Sequence, residues 1–241
     1  MMQFCSKIKK SWNDFKLKAQ NGEIFAKGLC GKKLFLIFVI LSIFGTYYEQ
    51  ILNLIRHYYL EGVFFWESRR GVFYGPFSPI YGAGAVLILI LFGRKKRPWQ
   101  QTLLYGSLFG GVFEYLISFL QQTFTHTVSW DYSNQFLNIN GRTTIPFMLV
   151  WGLLSLFLVE VVYPFLSHWI EKIPFQFGTV LYYILFAFII IDCTISWTAL
   201  IRGMFRRNNL TPLTPVGSFY DQKYPDKKLQ QYFPNMNFSP K

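Results

Sequence analysis

Apolar and polar positions alternate along this chain in long blocks, giving five apolar runs at about residues 34–55, 80–92, 101–123, 145–170 and 178–201. A helix needs about 20 residues to cross a bilayer core of about 30 Å, and four of the runs supply them. The second does not. IYGAGAVLILILF has 13 residues, or about 20 Å of helix at about 1.5 Å per residue. Directly before and into it runs RRGVFYGPFSPIYGAG, residues 69–84, which sets Gly71, Gly75, Gly82, Gly84, Pro76 and Pro79 among aromatics. If this element spans, part of the Gly/Pro stretch lies at membrane depth. Irregular backbone persists there only when buried in protein or lining a polar cavity. The pattern predicts an all-α polytopic membrane helix bundle of about five transmembrane segments, with a Gly/Pro-rich stretch, re-entrant or spanning, before the second.

Four acids interrupt the apolar runs: Glu49, Glu114, Glu160 and Asp192. A charged side chain at the centre of a membrane helix costs about 2.5–3.5 kcal/mol on insertion scales, so none is expected to face lipid. At about 100° per residue, Ser42, Gly45, Thr46, Glu49, Asn53 and Arg56 share one stripe of the first segment. Ser107, Gly111, Glu114 and Ser118 share one on the third, and Asp192, Ser196, Ala199 and Gly203 one on the fifth. Each of these acids thus sits with small or hydroxyl residues that allow close helix packing, and Gly106 and Gly110 add a GxxxG beside Glu114. Glu160 shares a broader face with Tyr163 and Ser167.

Ser78 and Pro79 make an N-cap and N1 pair for the short second helix. The same half of the bundle holds Glu49, Glu114, Asp192 and the loop SWDYSNQFLNINGR, residues 129–142. We therefore expect a partly buried polar cluster of Glu49, Arg70, Glu114, Asp131, Asn138 and Arg142. Its backbone is shaped by Gly71, Gly75, Pro76, Pro79 and Gly82. The alternative is that these charges form buried pairs that only fix helix register.

Composition agrees with a membrane chain: of 241 residues 52% are apolar, 20% aromatic and only 15% charged. The net charge of +12 is concentrated in the two tails and one short loop, as juxtamembrane charge is, so nucleic acid is not an expected partner. Residues 1–33 carry eight lysines. There Ile8, Trp12, Phe15 and Ala19 recur at helical spacing, which fits a basic amphipathic helix on an anionic leaflet; a disordered lead-in is the alternative. A cytoplasmic N-terminus puts these lysines inside with Arg94, Lys95, Lys96, Arg97 and Lys172. It leaves Arg56, Arg69, Arg70 and Arg142 outside, as the positive-inside bias favours. Five crossings also put the tail outside, with Arg202, Arg206, Arg207 and four lysines; an even number would remove that conflict. Residues 34–202 are expected to form the transmembrane domain. The Pro-rich tail, residues 203–241, reads as extended or poorly ordered. Cys5, Cys30 and Cys193 have no paired spacing, and the histidines no ligand spacing, so neither a disulfide, a metal nor another cofactor is assigned. Trp66, Trp99, Trp130 and Trp169 read as interfacial anchors.

The ordered motifs resemble one family. Glu49, RGVFYGPFSPIYGAG from Arg70, FEYL around Glu114, WDYS at 130–133, NINGR at 138–142, Trp151–Gly152 and Pro164 are similar to the ABC-transporter permease family also called type IV or CmpB-like. The likeness covers about residues 34–173. Arg69 stands where the family usually has Asn, and the fifth segment and tail lie outside the match. The resemblance implies a permease of the cell membrane. The chain has no GxxxxGK[ST], so a nucleotide-binding ATPase would be a separate subunit. Besides this transport role, an intramembrane enzyme on a lipid-linked substrate would use a carboxylate as general acid or base. No nucleophile–base pair is evident, so no catalytic residue is assigned. A structural or regulatory membrane partner is the third reading. The bilayer is a partner in all three, and an oligomer is compatible with each.

Overall fold

The computed structural model describes residues 21–125, 127–234 and 237–238. The proposed amphipathic helix at the N-terminus falls mainly on residues 1–20, outside the described residues. Six helices make the bundle: α1 Gly31–Glu61, α2 Pro79–Phe92, α3 Trp99–Thr125, α4 Ile145–Phe157, α5 Tyr163–Glu171 and α6 Phe175–Arg207. A π-helical turn, Leu158–Val162, joins α4 to α5. Four helices are long and apolar enough to cross a membrane: Gly31–Glu61, Trp99–Phe124, Ile145–Glu171 and Phe175–Arg207.

The short helix α2 is joined to a long irregular approach. The Ser78 amide donates to the Ser42 carbonyl, 3.1 Å away in the middle of α1. From there α2 runs antiparallel to α1, and its Leu89 and Phe92 end in a core with Leu36, Ile37, Ile170 and Phe25. Fourteen residues span about 21 Å, so α2 covers only the half nearer Lys33. Residues 62–78 cover the other half as irregular chain. Pro79 opens the helix as the sequence predicts, but the Ser78 hydroxyl caps no helix amide.

Close approach between helices rests on small residues. A Cβ on Gly82 would strike the Phe38 carbonyl and the Ser42 hydroxyl, and one on Gly45 would strike the Tyr81 ring. Across the α3–α4 contact, Gly106 lies against Ser155, Gly110 against Trp151, and Gly152 against Ser107 and Leu103. The expected stripes are buried in α3 and α6, and in α1 as far as Thr46: Ser42, Thr46, Ser107, Ser118, Asp192 and Ser196 are enclosed, while Glu49 and Asn53 are half-buried and Arg56 is exposed. At the other end of α1, Lys33 is fully buried and its ammonium meets Glu171 of α5 and the Ser167 hydroxyl. This ion pair holds the first and fourth crossings in register.

Glu160 departs from expectation. It lies in the π-turn and is exposed, unlike the other acids of the apolar segments. Pro164 is the physical cause of the turn, because it offers no N–H to the Glu160 carbonyl four residues earlier and its ring crowds that oxygen.

The tail also differs from an extended segment. Residues Pro215–Lys223 form α7 and Asp226–Tyr232 form α8. Thr144 and Thr214 cap α4 and α7 by accepting from Phe147 and Gly217. Arg202 grips Asp221 with two bonds of 2.9 and 2.8 Å, and Arg206 bonds both Asp221, at 2.6 Å, and Asp226. Leu229 is fully buried against Gly203. Two short pairings complete the chain: β2 Asn138–Ile139 with β3 Thr143–Thr144, and β1 Thr127–Val128 with β4 Asn237–Phe238.

Two outcomes follow from this packing. Gly82→Ala should destabilise the bundle by about 1–3 kcal/mol through overpacking, whereas Gly84→Ala should be nearly neutral, since its Cβ would meet Phe113 and Trp151 at an ordinary 3.7 Å. Thermal unfolding of both variants in one detergent checks the contrast. The bonds from Arg202 hold the Asp221 carboxyl below the usual carboxylate range. Their contribution is therefore complete above about pH 4 and is lost as the pH falls further and the folded carboxyl takes up a proton. Amide exchange in residues 215–232 should accelerate below that pH, and Asp221→Asn should reproduce the change at neutral pH while α1 stays protected.

Candidate functional site

The irregular stretch is held by the polar stripe of α6. The Phe73 amide donates to the Ser196 hydroxyl at 2.8 Å, and the Tyr74 amide to Asp192 Oδ1 at 3.1 Å. The Ser196 hydroxyl in turn donates to Asp192 Oδ1 at 3.0 Å. Within the stretch the Gly71 amide closes onto the Phe77 carbonyl at 2.8 Å. Gly75 makes that turn possible with φ of +82°, with Pro76 following it, and a side chain on Gly75 would also collide with the Phe77 ring. Val72 and Phe77 then pack into the core with Val39 and Ile189. The tail covers the outer side. Phe73 sits among Tyr224, Tyr232 and Phe233, Arg70 lies over the Tyr232 ring at 5.2 Å, and Ser68 donates to the Tyr232 carbonyl at 3.2 Å.

Beside this scaffold lies a cavity of about 660 Å³ that Glu49, Arg69, Arg70, Tyr81, Glu114 and Tyr132 help to line. Glu49 accepts from the Tyr81 hydroxyl at 3.2 Å and faces the Arg69 guanidinium at 3.9 Å. Arg69 also pairs with Glu67, which the Asn53 amide holds at 2.7 Å. Glu114 is handled differently, because its two oxygens accept from hydroxyls: Tyr132 at 3.0 Å and Thr143 at 2.7 Å. Burial, reinforced by the Glu114 carboxylate, pushes the Tyr132 phenol well above its ordinary range, so it stays a donor. Much of the remaining wall is apolar, with Trp197, Leu200, Ile201 and Met204 of α6 and Ile117 and Phe113 of α3. These two helices do not pack side by side, and Trp197 and Ile201 are about half exposed. The cavity therefore has a flank toward the surroundings of the bundle.

Of the six expected side chains, Glu49, Arg70 and Glu114 meet at this cavity. Asp131, Asn138 and Arg142 do not line it; they build the loop that delivers Tyr132. Asp131 accepts from the Ser133 amide and hydroxyl at 2.9 and 2.6 Å, which holds its carboxyl low. Asn138 donates to the Ser133 and Gln135 carbonyls and accepts from the Gly141 amide at 3.0 Å. Arg142 turns away to Gln122 at 2.6 Å and Ser118 at 3.3 Å, while its carbonyl accepts from the Trp130 indole at 2.9 Å. Neither Arg70 nor Arg142 is the counter-charge of Glu49; Arg69 is. Trp130 also lines the cavity wall. Arg69 was hidden behind its departure from the family pattern. Tyr81 and Tyr132 each stand inside a quoted motif, and that was the available signal. Among the described residues no three His, Cys, Asp or Glu side chains gather as metal ligands would.

With this geometry in place, comparison with known families is decisive. The family model described as "Putative ABC-transporter type IV" matches residues 36–197. The chain belongs to this family. No curated protein and no solved structure matches the chain. The family match extends beyond the motifs in the sequence, over most of α6 with Asp192 and Ser196. It ends before Leu200, Ile201 and Met204, so part of the apolar wall and the whole of α7 and α8 lie beyond it.

The Asp192 bonding has a measurable weight. Asp192→Ala would strip the acceptor from the Tyr74 amide and the Ser196 hydroxyl, and buried donors left unpaired cost about 1–3 kcal/mol. A lowered melting temperature is expected, together with faster amide exchange at residues 71–78 and unchanged exchange in α3.

Proposed function

We propose that this chain is the permease-like membrane subunit of a transporter and that the cavity beside Glu49 and Glu114 holds its cargo. The observation that carries this reading is the meeting of two intramembrane acids with irregular backbone at one cavity. Ionisable groups kept at membrane depth mark substrate or ion pathways, and transporters bind substrate where helices are broken. Arg70 bonds Ser68 and the Phe73 carbonyl at 3.1 and 3.4 Å and stacks on Tyr232, and Asp192 is the acid whose field reaches it. Among the described residues no acid lies within ion-pair distance of Arg70, so it stands as a cation at the cavity rim, and Glu114 is an acid held beside it by hydroxyls.

In this reading the Lys33 end of the bundle faces the cytoplasm of a cell-membrane protein. Arg94, Lys95 and Lys96 are exposed there beside Lys172, whereas Arg202 and Arg206 at the other end are engaged by Asp221 and Asp226. Those two acids offset part of the basic excess that five crossings put outside. The energy source is a separate nucleotide-binding ATPase that docks on the Lys33 end, where the connections 93–98 and 172–174 are short. Within the basic segment 1–33, residues 1–20 are the docking element, since Phe25, Ala26 and Lys33 are buried in the bundle.

Glu49→Gln and Glu114→Gln should each abolish flux in vesicles that contain the ATPase, with membrane accumulation of the protein unchanged. Unaltered flux in both variants would remove the cavity from the transport path. The ATPase should co-purify with the intact chain and be lost on deletion of residues 1–20.

A further inference from the structure

A helix start with free donors stands in the cavity wall. Ser78 lines the cavity and is only 6% exposed, yet its hydroxyl caps no helix amide and meets no other partner among the described residues. It precedes α2, where Pro79 has no N–H and Ile80, also in the wall, carries the first amide of the helix. The closed turn before it brings Arg70 alongside. A Cβ on Gly71 would stand 2.9 Å from Pro79 Cδ and 3.7 Å from Ser78 Cα, so Arg70 enters the wall next to the helix start. Of the five N–H groups of a guanidinium, the Arg70 side chain uses two, on Ser68 and the Phe73 carbonyl. The acids of the cavity are already met, Glu49 by Arg69 and Tyr81 and Glu114 by Tyr132 and Thr143. What remains at this end is a surplus of donors. A helix N-terminus, a hydroxyl and a guanidinium are together the set that phosphate oxygens take.

The opposite end of the cavity has a different chemistry. Trp197 and Ile201 of α6 are 51% and 45% exposed, and Phe113 and Ile117 of α3 face the same space. Because α3 and α6 do not pack side by side, the apolar flank is a slot open to the surroundings of the bundle. A water-soluble phosphate would leave this slot unfilled, and a plain hydrocarbon would leave the donors without acceptors. A molecule with both parts answers both ends, as in binding sites that join an apolar lining to a few placed polar groups.

We propose that the cavity takes an amphiphile with a phosphate head and a hydrocarbon chain. The phosphate lies at Ser78, Arg70 and the start of α2, as anionic substrate groups do at broken helices, and the chain passes through the slot between α3 and α6. This rests on the cavity being the cargo site and names the class of cargo. Such a molecule enters sideways from the bilayer, with its chain never leaving an apolar environment.

The test uses the full chain in a maltoside detergent, which carries no phosphate, and hexadecyl phosphate with a diazirine in its chain as the probe. Saturable photolabelling within residues 113–117 and 197–204 is expected, displaced by unlabelled hexadecyl phosphate but not by hexadecanol or inorganic phosphate. Ser78→Ala should weaken labelling by about tenfold at an unchanged melting temperature, since the hydroxyl has no partner in the protein. Arg70→Lys, which keeps the charge and loses the fork, should weaken it as well. Displacement by hexadecanol would overturn the proposal by showing an apolar slot alone, and displacement by inorganic phosphate by showing a water-soluble ligand. Equal labelling of both variants would overturn it too. The flux assay of Glu49→Gln and Glu114→Gln is independent of this one. Blocked flux without labelling keeps the cavity as the cargo site and rejects the amphiphile, whereas labelling with unaltered flux keeps the amphiphile as a ligand and rejects its transport.

Discussion

Backbone amides enclosed in protein need acceptors, and the bundle is arranged around how residues 71–78 find theirs. Asp192 and Ser196 accept the amides of Tyr74 and Phe73, and the Ser42 carbonyl accepts that of Ser78. Those bonds fix α6 and α1 on either side of the irregular stretch. They also fix where α2 begins, at half the depth of α1. The close contact at Gly82 follows, because α2 must start against α1 to let Ser78 reach Ser42. α7 and α8 then close the outer side through Phe73, Tyr224 and Leu229, held down by the Arg202 and Arg206 pairs.

The intramembrane acids divide by the partner each receives. Asp192 takes backbone amides and is part of the scaffold. Glu49 faces an arginine and a phenol. Glu114 takes the hydroxyls of Tyr132 and Thr143 and sits beside a cavity with an apolar flank. The WDYS and NINGR motifs act through the backbone: Asp131, Asn138 and Gly141 fold the loop on itself so that Tyr132 and Thr143 arrive at Glu114 from opposite sides. Residues whose side chains look like ligands in the motif therefore serve as framework, and a tyrosine and a threonine between them reach the site.

The rod of α4 and α5 faces two environments. Its inner face closes on the glycines of α3, and its outer face carries Glu160 at the turn that Pro164 imposes. A proline in an apolar helix frees a carbonyl and widens the ladder, so the departure from α-helix is a direct consequence of one ring.

The sequence by itself determined the all-α membrane class, the short second helix and the span boundaries to within about two residues for the third and fourth segments, while the first and fifth run six residues further than the apolar pattern. It determined these because hydrophobic period and run length are local properties that the bilayer reads directly. It also placed Asp192, Ser196, Glu114 and Ser107 on buried stripes, since helical geometry converts spacing into a face. Tertiary structure alone decided which partner each polar group took. Arg69 rather than Arg70 faces Glu49, Arg142 points away from Glu114, Glu160 faces outward, and the proline-rich tail folds into two helices on α6. Such choices depend on which atoms from distant segments compete for one another within about 3 Å, and no local pattern in the chain records that competition.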